Sequence, residues 1–130
     1  MRLATPLRTE SEIADLFADF LRSGTTAFGP LEVATVPRHG ESAPGIVARD
    51  ARDRLIAFEA SLRDWKKALL LAYRDTLFAH RAYIVLPAHA AMQALRYRRE
   101  FELRGIGLCS VARSGIQVEI EAGEHSPAPA

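Results

Sequence analysis

The chain has 130 residues, 48% of them hydrophobic and 25% charged, which fits one globular domain with its own core. Its 17 Lys and Arg residues nearly balance its 16 Asp and Glu residues, and the net charge of +1 excludes a global electrostatic attraction to nucleic acid. No apolar run approaches the roughly 18 residues of a membrane span, and no apolar leader is visible. The single cysteine, Cys109, excludes an internal disulfide. We therefore expect a cytoplasmic protein with no membrane partner.

The first part of the chain is predicted to form a capped helix followed by a strand. Thr9 and Glu12 make a capping box, and apolar residues follow at helical spacing until Gly24 ends the helix. Residues Leu31–Val36 alternate in polarity, which is typical of a strand.

Two short apolar runs, Ile46–Arg49 and Leu55–Glu59, predict a β-hairpin around a polar turn. If the turn spans residues 51–53, the hairpin register places Gly45 directly opposite Glu59. Directly opposed residues share one face of a sheet, with Cβ atoms about 5 Å apart.

The second part of the chain is predicted to contain two helices and three strands. Ser61 and Asp64 make a second capping box, which predicts a helix from Leu62 to about Phe78. The apolar surface of this helix is wide, so we expect it to be covered on more than one side. The remaining predicted elements are a central strand, a helix and a closing hairpin: Ala82–Leu86, His89–Arg104, Ile106–Val111 and Ile116–Ile120.

The predicted order is α-β-β-β-α-β-α-β-β, which indicates an α/β fold with a mixed central sheet flanked by helices. Residues 1–122 are predicted to form this single domain. Residues 123–130 are small, polar and proline-rich, and are predicted to be a disordered tail.

Three runs of the sequence resemble the PD-(D/E)XK nuclease superfamily. Residues 59–69 (EASLRDWKKAL) are similar to the variant motif E-x-K-L-x-x-W-x-x-A-L of that superfamily. Residues 77–87 and 101–108 are similar to its next strand and its closing segment, and the likeness extends roughly over residues 9–121. The resemblance implies a restriction-endonuclease-like core.

The resemblance also implies a chemistry. In the superfamily an Asp and a Glu or Asp on adjacent strands hold Mg²⁺, which prefers oxygen ligands. The metal activates a water and stabilises the charge that develops on phosphate. A Lys two residues after the acid lies on the same face of the strand and assists.

Position by position, the resemblance carries over only in part. Glu59 matches the acid of the second motif strand, and Glu12, with Glu10 as the alternative, matches a catalytic Glu of the first helix. Gly45 stands where the first metal-binding Asp is expected, and Ser61 stands where the Lys is expected. Two of the three core motif residues are therefore absent, which predicts a catalytically degenerate member that needs no cofactor.

Other acids and a histidine leave a second hypothesis open. Glu41 and His39 precede Gly45, and Glu32 lies on the first predicted strand, so any of them could join Glu59 as a metal ligand. The protein would then be an active Mg²⁺-dependent DNA endonuclease with relocated ligands.

A basic helix carries the leading hypothesis. Four cations follow Glu59 and could contact phosphates, although a solvated helix face explains them equally well: Arg63, Lys66, Lys67 and Arg74. The leading hypothesis is a non-catalytic accessory module that binds DNA or a protein partner, in DNA repair or phage defence by family analogy. A third hypothesis is a structural protein without a nucleic-acid role, which forms a homodimer through its last two strands.

Overall fold

A six-stranded mixed sheet is the centre of the structure, a computed structural model that describes residues 6–36 and 45–127. The strands lie side by side in chain order. The first three form an antiparallel meander, the third, fourth and fifth are parallel, and the sixth is antiparallel to the fifth. They are β1 (Glu32–Val36), β2 (Gly45–Arg49), β3 (Leu55–Ala60), β4 (Arg81–Pro87), β5 (Gly107–Ala112) and β6 (Gly115–Ile120). The predicted α/β fold with a mixed sheet is confirmed.

Helices cover both sides of this sheet. One helix packs on one side, which we call the α1 side, and three helices pack on the other, which we call the α2 side. None of these helices is long and apolar enough to cross a membrane. They are α1 (Glu10–Arg22), α2 (Trp65–Asp75), α3 (Ala88–Ala94) and α4 (Arg98–Arg104).

The predicted helix His89–Arg104 is divided in the structure. A 3₁₀ turn at Leu95–Tyr97 separates α3 from α4. The turn places the ring of Tyr97 on that of Trp65, with 4.9 Å between ring centroids, and α4 then buries Phe101. The break thus lets one segment follow the sheet and then contact the start of α2.

Strand alternation sends successive side chains into two separate cores. On β3, Phe58 packs against Phe17 of α1, while Ala57 packs on the α2 side. The strand β4 is buried from Ala82 to Pro87, so the prediction of a central strand covered on both faces is confirmed.

The hairpin register agrees with the sequence prediction. Ile46 lies opposite Phe58, and the Asp50 N–H donates to the carbonyl of Arg54 at 3.0 Å. Asp53 adopts a left-handed conformation with φ of 64°, which closes the turn. One step beyond Ile46, this register places Gly45 opposite Glu59.

The predicted start of α2 is wrong by three residues. Ser61 Oγ accepts from the Asp64 N–H at 3.0 Å and forms a turn before the helix. Asp64 is the N-cap, because its side chain accepts from the Lys67 N–H at 3.2 Å. Ser61 and Asp64 both have a suitable side chain, and the sequence pattern could not separate a turn from a cap.

The expectation that α2 is covered on more than one side is also wrong. Leu70, Tyr73 and Leu77 are 66%, 51% and 73% exposed. The physical reason is that α3 and α4 pack on the neighbouring strands β4 and β5 and leave the outer surface of α2 open.

The segment predicted to be a disordered tail is hydrogen-bonded to the domain as far as His125. The Gly123 N–H donates to the carbonyl of Gly105 at 3.0 Å, and the His125 N–H donates to the carbonyl of His80 at 2.7 Å. Between them, Glu124 pairs with Arg54 at 2.8 Å. The polar composition predicted disorder, but backbone carbonyls of the folded domain supply hydrogen-bond partners for this segment. Residues 128–130 lie outside the described ranges.

Candidate functional site

Glu59 lies near the end of β3 and is 3% exposed. Its neighbours Phe58 and Ala60 face the α1 side, so its own side chain faces the α2 side. Ile84 lies beside it on β4, and Gly45 is the residue opposite it on β2 by extension of the register. The position that would supply a second metal ligand therefore has no side chain.

Ser61 occupies the position of the motif lysine and has a structural role. It is 3% exposed, its N–H donates to the carbonyl of Val85 at 3.0 Å, and its hydroxyl forms the turn to Asp64. The buried site has no cation at this position.

Glu12 does not lie beside Glu59. It is exposed in the first turn of α1, which packs on the opposite side of the sheet. Its N–H donates to Thr9 Oγ1 at 3.0 Å as part of the predicted capping box. The elements that carry Glu12 and Glu59 thus direct these residues to opposite sides of the sheet, which does not support the predicted shared catalytic site.

Of the predicted rescue ligands, the structure describes Glu32, and it does not lie beside Glu59. Glu32 lies opposite Arg49, at the far end of the meander from Gly45. At about 3.3 Å per residue, the four residues from Gly45 to Arg49 span roughly 13 Å, too far for a shared metal. His39 and Glu41 lie outside the described residues. Within residues 6–36 and 45–127, no group of three or more His, Cys, Asp or Glu side chains could hold a metal ion.

The α2 side of the meander forms a recess. Helix α2 packs over β3 and β4, and none of the helices that the structure describes lies over β1 and β2 on this side. Alternation along β1 and β2 directs Ala34, Val36 and Val47 to this open face. We call the resulting cavity of about 450 Å³ the sheet recess; it is lined by Val36, Gly45, Ile46, Val47, Arg74, Asp75 and Phe78.

The four predicted nucleic-acid-binding residues are all exposed, but they do not form one surface. Lys67 and Arg74 are two helical turns apart and share one stripe of α2, and Arg74 lines the sheet recess. We call these two residues the basic flank. Lys66 points the other way, with its Nζ 5.7 Å from the centre of the Trp65 ring, and lines a groove between α2 and α4. Arg63 lies in the turn before the helix.

The electrostatic character of α2 is positive. Between residues 62 and 76 the acids are Asp64, which is exposed at the N-cap, and Asp75, which is buried. The helix α2 and the turn before it thus carry four cations and the exposed carboxylate of Asp64, while Asp75 contributes a carboxylate to the lining of the sheet recess beside Arg74.

Cys109 has no part in this site. It is completely buried in the core on the α1 side. Burial raises the pKa of its thiol well above the usual range, which keeps the thiol protonated and unreactive.

The sequence pattern predicted a strand at Leu31–Val36 but did not indicate that one of its faces would be open. The available signal was the pair of small or apolar residues Ala34 and Val36 on one face of an edge strand. Their exposure depends on the placement of α2 over β3 and β4, which leaves them without a covering helix among residues 6–36 and 45–127.

These features define the class of the molecule as an α/β protein with one mixed sheet and helices on both sides. A solved structure with a similar fold is SPO1766 from Silicibacter pomeroyi, a protein of unknown function. The two superimpose with a TM-score of 0.63 and 15% sequence identity, over 96% of this chain and 79% of that chain. At this identity the likeness establishes the fold alone. No protein-family model and no curated protein matches the chain.

Proposed function

We propose that this protein is a catalytically inactive member of the restriction-endonuclease-like group that binds duplex DNA with the sheet recess and the basic flank of α2. Two features support the assignment to the group. A helix precedes a three-stranded meander, and a second helix then leads to a strand parallel to β3. Glu59 lies at the end of β3, as the motif of that group requires.

The reason for inactivity is the set of side chains around Glu59. A Mg²⁺ site needs several oxygen ligands, and Gly45 offers none from a side chain. The hydroxyl of Ser61 is engaged with Asp64. Glu12 lies across the sheet.

The observation that carries the proposal is the position of Arg74. Its side chain borders a recess whose floor is open sheet, and Lys67 extends the same positive edge toward the end of β3. Contacts from Lys and Arg to phosphate supply affinity that does not depend on base sequence. A rigid helix that presents cations beside an open concave face is suited to hold a duplex backbone.

The test is a binding titration of a fluorescent duplex at low salt. We expect Lys67→Glu/Arg74→Glu to weaken binding about tenfold or more, because two attractions become repulsions. The matched control is Arg96→Glu/Arg99→Glu, which makes the same charge change at exposed positions beside and on α4. Equal duplex affinity of the wild type and the Lys67→Glu/Arg74→Glu variant would show that the basic flank does not bind DNA.

Inactivity is tested separately with supercoiled plasmid and Mg²⁺ or Mn²⁺. We expect no cleavage above the level of a Glu59→Gln variant. Metal-dependent nicking that Glu59→Gln abolishes would instead favour the active endonuclease.

A second candidate function is a protein-interaction module, and the exposed apolar stripe of α2 favours it. Leu70 and Tyr73 are exposed on α2, and Leu77 is exposed in the turn after it; the two leucine side chains have no group that can bind phosphate. Leu70→Ser/Leu77→Ser should leave duplex affinity unchanged if DNA binds the basic flank. If duplex binding is absent at low salt, the interaction module becomes the better assignment.

A further inference from the structure

A groove of about 420 Å³ lies between α2 and α4, and its lining includes neither residue of the basic flank. We call it the α2–α4 groove. Leu69 is buried and Trp65 is half-buried, so they form its inner wall. Leu70 and Tyr97 line its margin and are 66% and 50% exposed. The groove therefore presents apolar surface to solvent.

Aromatic contacts hold the inner wall of the groove in place. The ring of Trp65 stacks on Tyr97 with 4.9 Å between centroids and on Phe101 with 5.7 Å. The Nζ of Lys66 lies 5.7 Å from the centre of the same ring. A groove that is formed before binding loses little side-chain freedom when a ligand enters it.

An exposed stripe of α2 extends the groove along the helix. Lys66, Leu70 and Tyr73 are exposed at positions i, i+4 and i+7, so they lie on one stripe. At 1.5 Å per residue this stripe is roughly 10 Å long, which is about two helical turns. A partner helix that packs in a groove uses anchors at the same spacing.

The charge around the groove is positive because the acids of α4 already have partners. Glu100 pairs with Arg104 at 2.9 Å, and Glu102 pairs with Arg98 at 3.4 Å. The exposed carboxylate of Asp64 caps α2. Four cations that line the groove, or lie within two residues of its lining, form no ion pair within residues 6–36 and 45–127: Arg63, Lys66, Arg96 and Arg99.

We propose that the α2–α4 groove binds an acidic amphipathic helix of a protein partner. Apolar side chains of that helix would contact Trp65, Leu69 and Leu70, and its carboxylates would lie opposite Lys66 and the neighbouring arginines. The groove uses neither residue of the basic flank, so its occupancy is independent of duplex binding.

Two other occupants match the groove less well. A second copy of this chain would bring the same surplus of cations against it. A single-stranded nucleic acid would match the cations, but a base placed against Trp65 would have to separate it from Tyr97. It would also leave the exposed side chain of Leu70 without an apolar partner.

Trp65 is the single tryptophan of the chain, so its fluorescence reports on the groove. The probe is a helical peptide of about 14 residues, cross-linked to hold the helix, with leucines at i, i+4 and i+7, glutamates beside them and no aromatic residue. We expect it to bind the full chain and to shift the emission of Trp65. Two matched peptides carry lysines for the glutamates or serines for the leucines, and each should bind at least about tenfold more weakly.

Variants of the protein locate the contact. Lys66→Glu and Leu70→Ser should each weaken binding of the acidic peptide about tenfold. The matched controls are Lys67→Glu, which makes the same charge change on the basic flank, and Leu103→Ser, at a leucine that is 67% exposed outside the groove. Both controls should stay within about twofold of the wild type at physiological salt. Circular dichroism verifies that all four variants are folded.

Several results would overturn the assignment of the groove. They are absence of binding by the acidic peptide, binding without a change in Trp65 emission, equal binding of the lysine peptide, or equal losses in variants and controls. A single-stranded oligonucleotide that shifts the emission where the acidic peptide does not would assign the groove to nucleic acid instead. Retained peptide affinity in Lys67→Glu/Arg74→Glu, with duplex affinity lost, would show two separate sites.

Discussion

Tyr83 lies at the centre of the core on the α1 side, although its side chain carries a hydroxyl. Its ring stacks on Phe58 with 5.5 Å between centroids and meets Phe28 edge-on at 5.2 Å. The hydroxyl donates to Glu121 Oε1 at 2.8 Å, so the polar atom is satisfied. Burial, and then the bond to Glu121, raises the pKa of Tyr83 above its ordinary value of 10.0.

This raised pKa predicts a loss of stability in strong alkali. Above pH 10 the phenol ionises in the unfolded chain and stays protonated in the folded one. The unfolded state then binds fewer protons, so the free energy of unfolding falls as pH rises, by up to about 1.4 kcal/mol per pH unit. Urea unfolding between pH 9.5 and 11 should show a steeper fall for the wild type than for Tyr83→Phe. Parallel curves would contradict this, and Tyr97→Phe is the matched control.

Gly107 is required by the same ring. A Cβ at this position would overlap the ring of Tyr83 and lie 2.7 Å from the carbonyl oxygen of Ile120. Both neighbours are held inside the sheet, so Gly107→Ala should destabilise the fold by about 1–3 kcal/mol. Thermal unfolding measures this, with the exposed Ser114→Ala as control. An unchanged midpoint would mean that β5 has room to move.

At the residue scale, the pairing of residues within the hairpin was predictable from the sequence. The side of the sheet on which a helix packs was not. Counting along the hairpin placed Gly45 opposite Glu59, because register follows from turn length. The separation of Glu12 from Glu59 depends on which side of the sheet α1 covers. The spacing of residues in the sequence does not indicate which side of the sheet α1 covers.

Among the elements, α2 shows most clearly what a sequence pattern can and cannot give. Its existence and its buried side, including Leu69 and Ala72, follow from helical periodicity. The exposure of its other leucines does not follow from periodicity, because the same leucines would be buried if another helix lay over them. Periodicity reports an apolar surface but not the partner that covers it.

The start of α2 gives a prediction about its cap. Asp64→Ala removes the acceptor for the Lys67 N–H and a favourable negative charge at the helix N-terminus, and should cost about 1 kcal/mol. Asp19→Ala is the control, because Asp19 forms only an exposed pair with Arg22 at 3.5 Å. Chemical denaturation compares the two. A larger loss for Asp19→Ala would contradict the assignment of Asp64 as the N-cap.

For the whole molecule, the order of the elements was sufficient to predict the fold class. A meander followed by two strand–helix–strand crossovers leads to one mixed sheet, because parallel neighbours require a connection across a face. The sheet recess was not predictable in this way. It exists because two crossovers cover β3, β4 and β5 on the α2 side and nothing in the described ranges covers β1 and β2 there.

The salt dependence of duplex binding tests the central claim most directly. Each phosphate contact adds about 0.9 to the slope of log K against log salt concentration, so the wild type should show a steep dependence. In Lys67→Ala/Arg74→Ala the slope should fall by about two for each copy of the chain that contacts the duplex. The same slope in wild type and variant, or no duplex binding at the lowest salt, would contradict the account of a DNA-binding protein on an inactive nuclease-like fold.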